Sequence, residues 1–320
     1  LENHNQSPST GTSLTTSREP VNLATGDYLF DNGDLEMGGA EPQGIRFARH
    51  YDSGQSVRDG RLRHGWTHNY DIRATVHSNP DFVLGGRQAT DAATLAIFGL
   101  IGADLLENDL SARGWLTTSL AAKWAMDQMI DNAVGIQMGG KSAVYVKLPD
   151  GSYNPPPGVT ATLTKSNGVF CLKERLGMQF LFNTNNLVSA WQDADGNALS
   201  FAYNAQTNLA TVTNGYGRGL SFTYSGATQL TAVADSSGRS VSYGYSAGNL
   251  TSYTDAESKV WTYAYDSNHW MRALANPLAE ITATNTFDAL GMVVTQKNAA
   301  SNSWAFFVVP GWRSVEQDPY

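Results

Sequence analysis

The chain has 320 residues, of which 16% are charged, with 21 basic and 29 acidic side chains giving a net charge of -8. An average soluble protein is roughly a quarter charged, so this composition, rich in Gly, Ser, Thr, Asn and Tyr, favours turns and strands over long solvated helices. The acidic balance argues against a nucleic-acid partner, the single Cys171 cannot form an intrachain disulfide, and no stretch reaches the roughly 18 apolar residues of a membrane span.

Residues 1–20, LENHNQSPSTGTSLTTSREP, are polar and aperiodic and read as a flexible arm. The chain begins at Leu1 with no signal-peptide pattern, which fits a processed or excised piece. From 21 to 86, VNLATGDYLFDNGDLEM, GIRFARHYDSG and GWTHNYDIRATVHS are short β-type runs broken by Gly, Asn and Asp. Between 87 and 135 the sequence turns to Ala, Leu and Met without Pro, and Leu116, Leu120 and Trp124 recur at four-residue steps. This predicts two helices joined near Ser111 to Gly114, with Asp91 and Thr117 as early caps, inserted in a β-protein to cover an edge or an open end. Residues 136–176 return to alternation, with PDGS as a turn and Pro155 to Pro157 as a rigid connection.

From 177 to 302 the chain repeats itself. The aromatic pair Phe180 and Phe182 recurs as Phe201 and Tyr203, Phe222 and Tyr224, Tyr243 and Tyr245, and Tyr263 and Tyr265. An apolar residue follows each pair, and then an Asp or Asn. An i, i+2 pair places both rings on one face of a strand, and the later apolar residue starts a returning strand, so each unit of about 21 residues is one hairpin. A lone hairpin is marginal in water, whereas stacked hairpins bury a continuous face, so the ring pairs read as a structural ladder. Residues 303–320 form a closing strand segment. The expected class is mostly β: stacked antiparallel hairpins forming a curved sheet, with a helical hairpin insertion.

No constellation for catalysis stands out. His50, His64, His68 and His77 gather in the N-terminal region, but HGWTH reads as turn then strand, where a four-residue step does not converge on a metal. DADGN at 193–197 resembles the start of a calcium loop, but its Gly comes too early and the twelfth position is Asn204. It reads as a turn, as do Asp266 and Asp288. There is no GxSxG and no phosphate-loop spacing, and neither a metal nor a cofactor is expected.

FAYNAQTNLATVTNGYGR, FTYSGATQLTAVADSSGR and YAYDSN resemble the YD repeats of the Rhs and teneurin group. PVNLATGDYLF, RHYDSG and GWTHNYDIRATV resemble the segment preceding those repeats in bacterial Rhs-type proteins, and KLPDGSYNPPPG and GWRSVEQDP also look like sequence of that group. The resemblance implies a spiral of hairpins wrapping into a hollow shell, which encloses a C-terminal toxin or presents a cell-surface structure. About six recognisable units imply a partial shell from a longer parent chain; the family's autoproteolytic motif has no clear match. The leading expectation is a non-enzymatic scaffold, extracellular or on the bacterial cell surface. It would enclose cargo or associate through its sheet edges into an oligomer or filament. The alternative is a carbohydrate-binding adhesin that contacts glycans through Trp191, Trp261 and Trp270. An enzyme hidden in the N-terminal half ranks last.

Overall fold

The computed structural model describes residues 20–79, 82, 93–108, 111–310 and 313–319. All of the expected arm but Pro20, and the expected cap Asp91, lie outside the described residues. Strands dominate, and a sheet of sixteen antiparallel strands takes them in sequence order from Thr162–Ser166 to Arg313–Gln317. The chain divides into two compact units, one of residues 1–70 with 200–320 and the other of residues 71–199.

In the first unit the repeat is a hairpin with two recurrent irregularities. Gly219–Ser225 pairs with Gln229–Asp235 so that Phe222 faces Val233 and Tyr224 faces Leu230. Thr231 is the extra residue of a bulge, and its hydroxyl donates to the Thr223 carbonyl at 3.1 Å. Thr251 sits in the same kind of bulge and donates to the Gly244 carbonyl at 3.3 Å. Because a bulge re-aims the side chains beside it, the second ring of a pair leaves the plane of the first. Tyr224, Tyr245 and Tyr265 are accordingly half-buried where Phe222, Tyr243 and Tyr263 are buried.

The other irregularity is the turn between strands. At Asn204, the side-chain oxygen accepts from the backbone N–H groups of Gln206 and Asn208, at 3.0 Å each. Asp235 does the same for Ser237 and Arg239, and Asp266 for Asn268 and Trp270. A short side chain that mimics a backbone acceptor is what Asx residues bring to turns. The fourth residue of each turn takes a left-handed φ: Thr207 at 59°, Gly238 at 89° and His269 at 65°.

The first unit also contains a small antiparallel sheet of Leu29–Met37, Ile45–Asp52 and Trp66–His68. Its middle strand, IRFARHYD, alternates strictly, with Ile45, Phe47, Arg49 and Tyr51 buried.

In the second unit, Ile72–His77 pairs with Ala133–Met138, and the chain between them makes the helical excursion. Its root is held by the fully buried Asn132. Asn132 accepts from the Asn79 N–H at 2.7 Å and donates to the Asn79 and Phe82 carbonyls at 2.8 and 3.1 Å. The helices are α1, Ala93–Asn108, and α2, Ala112–Met129. Ser111 caps α2 by accepting from the Gly114 N–H at 3.1 Å. Thr117, expected as a cap, instead lies inside α2 and donates to the Arg113 carbonyl at 2.9 Å. Ser111 precedes it and takes one orphan donor of the first turn, and Thr117 back-bonds within the helix. Phe180 and Phe182 are buried in the core of this unit with Phe170, Leu172 and Val188.

Candidate functional site

The site begins with the alternation of Ile45–Asp52, because one face of that strand lies over the repeat strands of the same unit. The first ring of four successive repeats receives a ring from the N-terminal segment. Phe201 meets Tyr70 at 5.6 Å, Phe222 meets Phe47 at 5.5 Å, and Tyr243 meets Phe47 at 6.5 Å. Tyr263 meets Trp66 at 5.3 Å and Phe30 at 6.1 Å. Edge and tilted contacts of this kind contribute about 0.5–1.5 kcal/mol each beyond area burial.

At the centre is a buried charge pair. Arg49 and Asp34 have no exposed side-chain surface, and Arg49 Nε stands 2.5 Å from Asp34 Oδ2. Asp34 Oδ1 accepts from the Arg49 guanidinium at 2.9 Å and from Asn32 at 2.6 Å, while Oδ2 also accepts from the Tyr243 hydroxyl at 2.6 Å. The guanidinium lies 4.4 Å from the ring of Tyr253, 4.9 Å from Trp66 and 5.2 Å from Tyr243. Its remaining polar contacts are to the Tyr263 hydroxyl at 3.3 and 3.4 Å. Burial alone would lower the Arg49 pKa, but Asp34, Tyr263 and Tyr243 together outweigh it and hold the guanidinium charged. Burial, reinforced by Asp34, pushes the Tyr243 phenol well above its ordinary range. A carboxylate offers about four acceptor sites, and those of Asp34 are engaged by these four donors. Asp34 and Arg49 therefore act as a fastener between the N-terminal sheet and the repeats.

The second rings work differently. Tyr224 donates to the Leu209 carbonyl at 2.9 Å, and Tyr245 donates to the Leu230 carbonyl. Each hydroxyl reaches back to the return strand of the preceding hairpin. Tyr265 instead accepts from Trp66 Nε1 at 2.8 Å. Tyr51 donates to the His269 carbonyl at 3.0 Å and accepts from the Met271 N–H at 2.9 Å. Tyr203 is half-buried.

His64 stacks on His269, ring centroids 3.7 Å apart and 7° from parallel. The Nδ1 atoms lie 2.7 Å from the Ser56 carbonyl and 2.9 Å from Asn249 Oδ1. Burial first, then His64, lowers the His269 pKa below its usual 6.5, with Asp266 and Asp59 opposing. The sequence carries no signal for this pair, because the two rings come from segments about 200 residues apart. His50 lies 2.6 Å from Asp31, His68 is buried, and His77 is exposed. Among the described residues, no three His, Cys, Asp or Glu side chains gather as a metal site.

The tryptophans named as glycan contacts are all half-buried. Trp191 packs on Phe180 at 5.3 Å with its Nε1 against the Met178 sulfur. Trp261 faces Tyr253 across the strands, and Trp270 lies 5.5 Å from Phe287. The 193–197 segment is an Asx turn, with Asp193 accepting from the Asp195 and Asn197 N–H groups.

A family model described as RHS Repeat matches residues 224–256 and 246–281, and a model described as a domain of unknown function, DUF6531, matches residues 18–91. No curated protein matches. Solved structures similar to this chain include "Crystal Structure of TcdB2-TccC3-Cdc42", at 9% identity over 59% of this chain and 13% of that one, with a TM-score of 0.32. A second is a Photorhabdus luminescens Tc holotoxin pore, at 9% identity over 58% and 14%, TM-score 0.30. A third is a porin-like protein from Bacteroides uniformis, at 12% identity over 58% of this chain and 90% of that one, TM-score 0.26. The chain thus spans 13% and 14% of the two toxin-complex chains. No helix among the described residues is long and apolar enough to cross a membrane.

Proposed function

We propose, from the premise that this chain is a YD-repeat protein of the Rhs group, that its work is to form a wall. The N-terminal segment seals the inner face of that wall, and no step of chemistry is required of it. The observation that carries this reading is the burial of Phe201, Phe222, Tyr243 and Tyr263 beneath the N-terminal segment. A ladder used as a ligand platform needs its rings open to solvent; these are closed. In this reading residues 21–86 form the covering segment, 87–135 the insertion and 177–302 the repeat array. The location is extracellular or at a bacterial cell surface, and the enclosed cargo is a C-terminal toxin in a longer parent chain.

Electron microscopy of the purified chain tests the reading. Closed particles or filaments built by edge-to-edge pairing support it, because an unpaired strand edge is a template for further pairing. Small separate globules at every concentration remove self-assembly. A glycan array on the same preparation decides against the scaffold if it shows saturable binding that is lost on changing Trp261 or Trp270.

A further inference from the structure

The α1–α2 hairpin leaves large apolar side chains in water: Leu100 is 71% exposed, Leu116 60% and Leu120 59%. Single exposed apolar residues are ordinary, but a set on one helix face marks an interaction surface; on α2 Trp115 and Met126 are exposed on one face, Leu116 and Leu120 on another. At 100° per residue, Arg113, Leu116, Thr117, Leu120, Trp124 and Asp127 of α2 fall within an arc of about 100°. All are exposed except the half-buried Trp124. The face turned to α1 is a different one. It carries Thr118, whose methyl would lie 3.8 Å from a Cβ added at Gly102 of α1.

We infer that this face of α2 pairs with the same face of a second copy of the chain, the two helices running antiparallel about Leu120. The order of residues on the face is self-complementary. Around a two-fold axis at Leu120, Leu116 lies opposite Trp124 of the second copy, and Arg113 lies opposite its Asp127, while Leu120 meets itself. A parallel pairing would set Arg113 on Arg113 and Asp127 on Asp127. Symmetric dimers are the commonest assemblies, and their interfaces must match themselves in this way. Within one copy Lys123 already stands 2.6 Å from Asp127, so in the pair this carboxylate lies between two cations. The Asn132 clamp at the root holds the hairpin to its sheet. A bilayer surface fits the helices less well. Residues 93–129 carry four acidic and two basic side chains, whereas interfacial helices that hold to anionic lipid carry a basic face.

Sedimentation velocity of the whole chain over a range of concentrations is the test. The expected result is a reversible dimer of the 34.5 kDa chain. Leu120→Arg places two cations at the axis and is expected to weaken dimerisation at least about tenfold, with helical circular dichroism retained. Arg113→Asp and Asp127→Arg should each weaken it, and the double exchange should restore it to within about threefold of the parent. The inference is overturned by a chain that stays monomeric, or by a double exchange no better than either single change. Association that ignores Leu120→Arg also overturns it, and would point to the sheet edges. A monomer that floats with phosphatidylcholine and phosphatidylglycerol vesicles would assign the face to membrane instead.

Discussion

Arg49 is a cation with none of its side chain in water, while Leu116 and Leu120 are aliphatic residues with more than half of theirs exposed. Each reverses the usual rule for its type, and the reasons differ. Arg49 stands at the apolar phase of an alternating strand, so folding puts it inside; Asp34, the Tyr263 hydroxyl and four aromatic rings then replace the water it loses. Leu120 stands on a helix whose other face already packs on α1, so nothing in its own unit is needed to hold the helix. Burial of a charge is tolerated where every donor and acceptor is engaged. Exposure of an aliphatic face is tolerated where the element is anchored elsewhere.

The largest effect is expected at Arg49. Arg49→Ala leaves Asp34 buried without its counter-charge, and the unfolding free energy from chemical denaturation is expected to fall by about 3–5 kcal/mol. The double change Asp34→Leu with Arg49→Met removes both charges and should recover most of that loss, because a buried pair is often no better than a well-packed apolar one. If the double variant is as unstable as Arg49→Ala, the rings contribute through the cation rather than the pair. Next in size, Tyr224→Phe strips one hydroxyl from the tie between adjacent hairpins and is expected to cost about 1 kcal/mol. Amide exchange should rise first around Leu209, whose carbonyl loses that donor.

The histidine stack adds a pH dependence. The folded pKa of His269 lies below 6.5, so on acidification through 6.5 the unfolded chain takes up the proton more readily than the folded one, and stability is lost as pH falls. His64→Asn removes the neighbouring ring, and the NMR titration midpoint of His269 should move up. A midpoint that stays put would assign the shift to burial alone. The smallest effect is expected at Met126 in the hairpin, 60% exposed: Met126→Gln should move monomer stability by less than about 0.5 kcal/mol.

Much of this architecture is written locally. The ring pairs, the returning apolar residue and the Asx turns repeat often enough that strand, turn and return strand can be read without a structure. The bulge cannot, because Thr231 and Thr251 look like any strand threonine until the register across the hairpin is known. The buried pair is half legible. Arg49 breaks the series Ile45, Phe47, Tyr51 at an inward position, a signal in plain view. Asp34 turns inward only because the register shifts between Gly33 and Leu35, which depends on the neighbouring strand. The Ser111 cap and the His64 partner fall to the same cause: each is fixed by which group competes for it in three dimensions.

Arg49 and the Tyr263 hydroxyl that meets it are 214 positions apart in the chain. At about 5–20 residues per second of synthesis, the N-terminal sheet leaves the ribosome roughly 10–40 s before that part of its cover exists. During that interval Trp66 and Arg49 lack Tyr263, one of the rings that cover them. Tyr263, in the fourth of the four repeats that meet the N-terminal sheet, is therefore the last of these rings to be supplied.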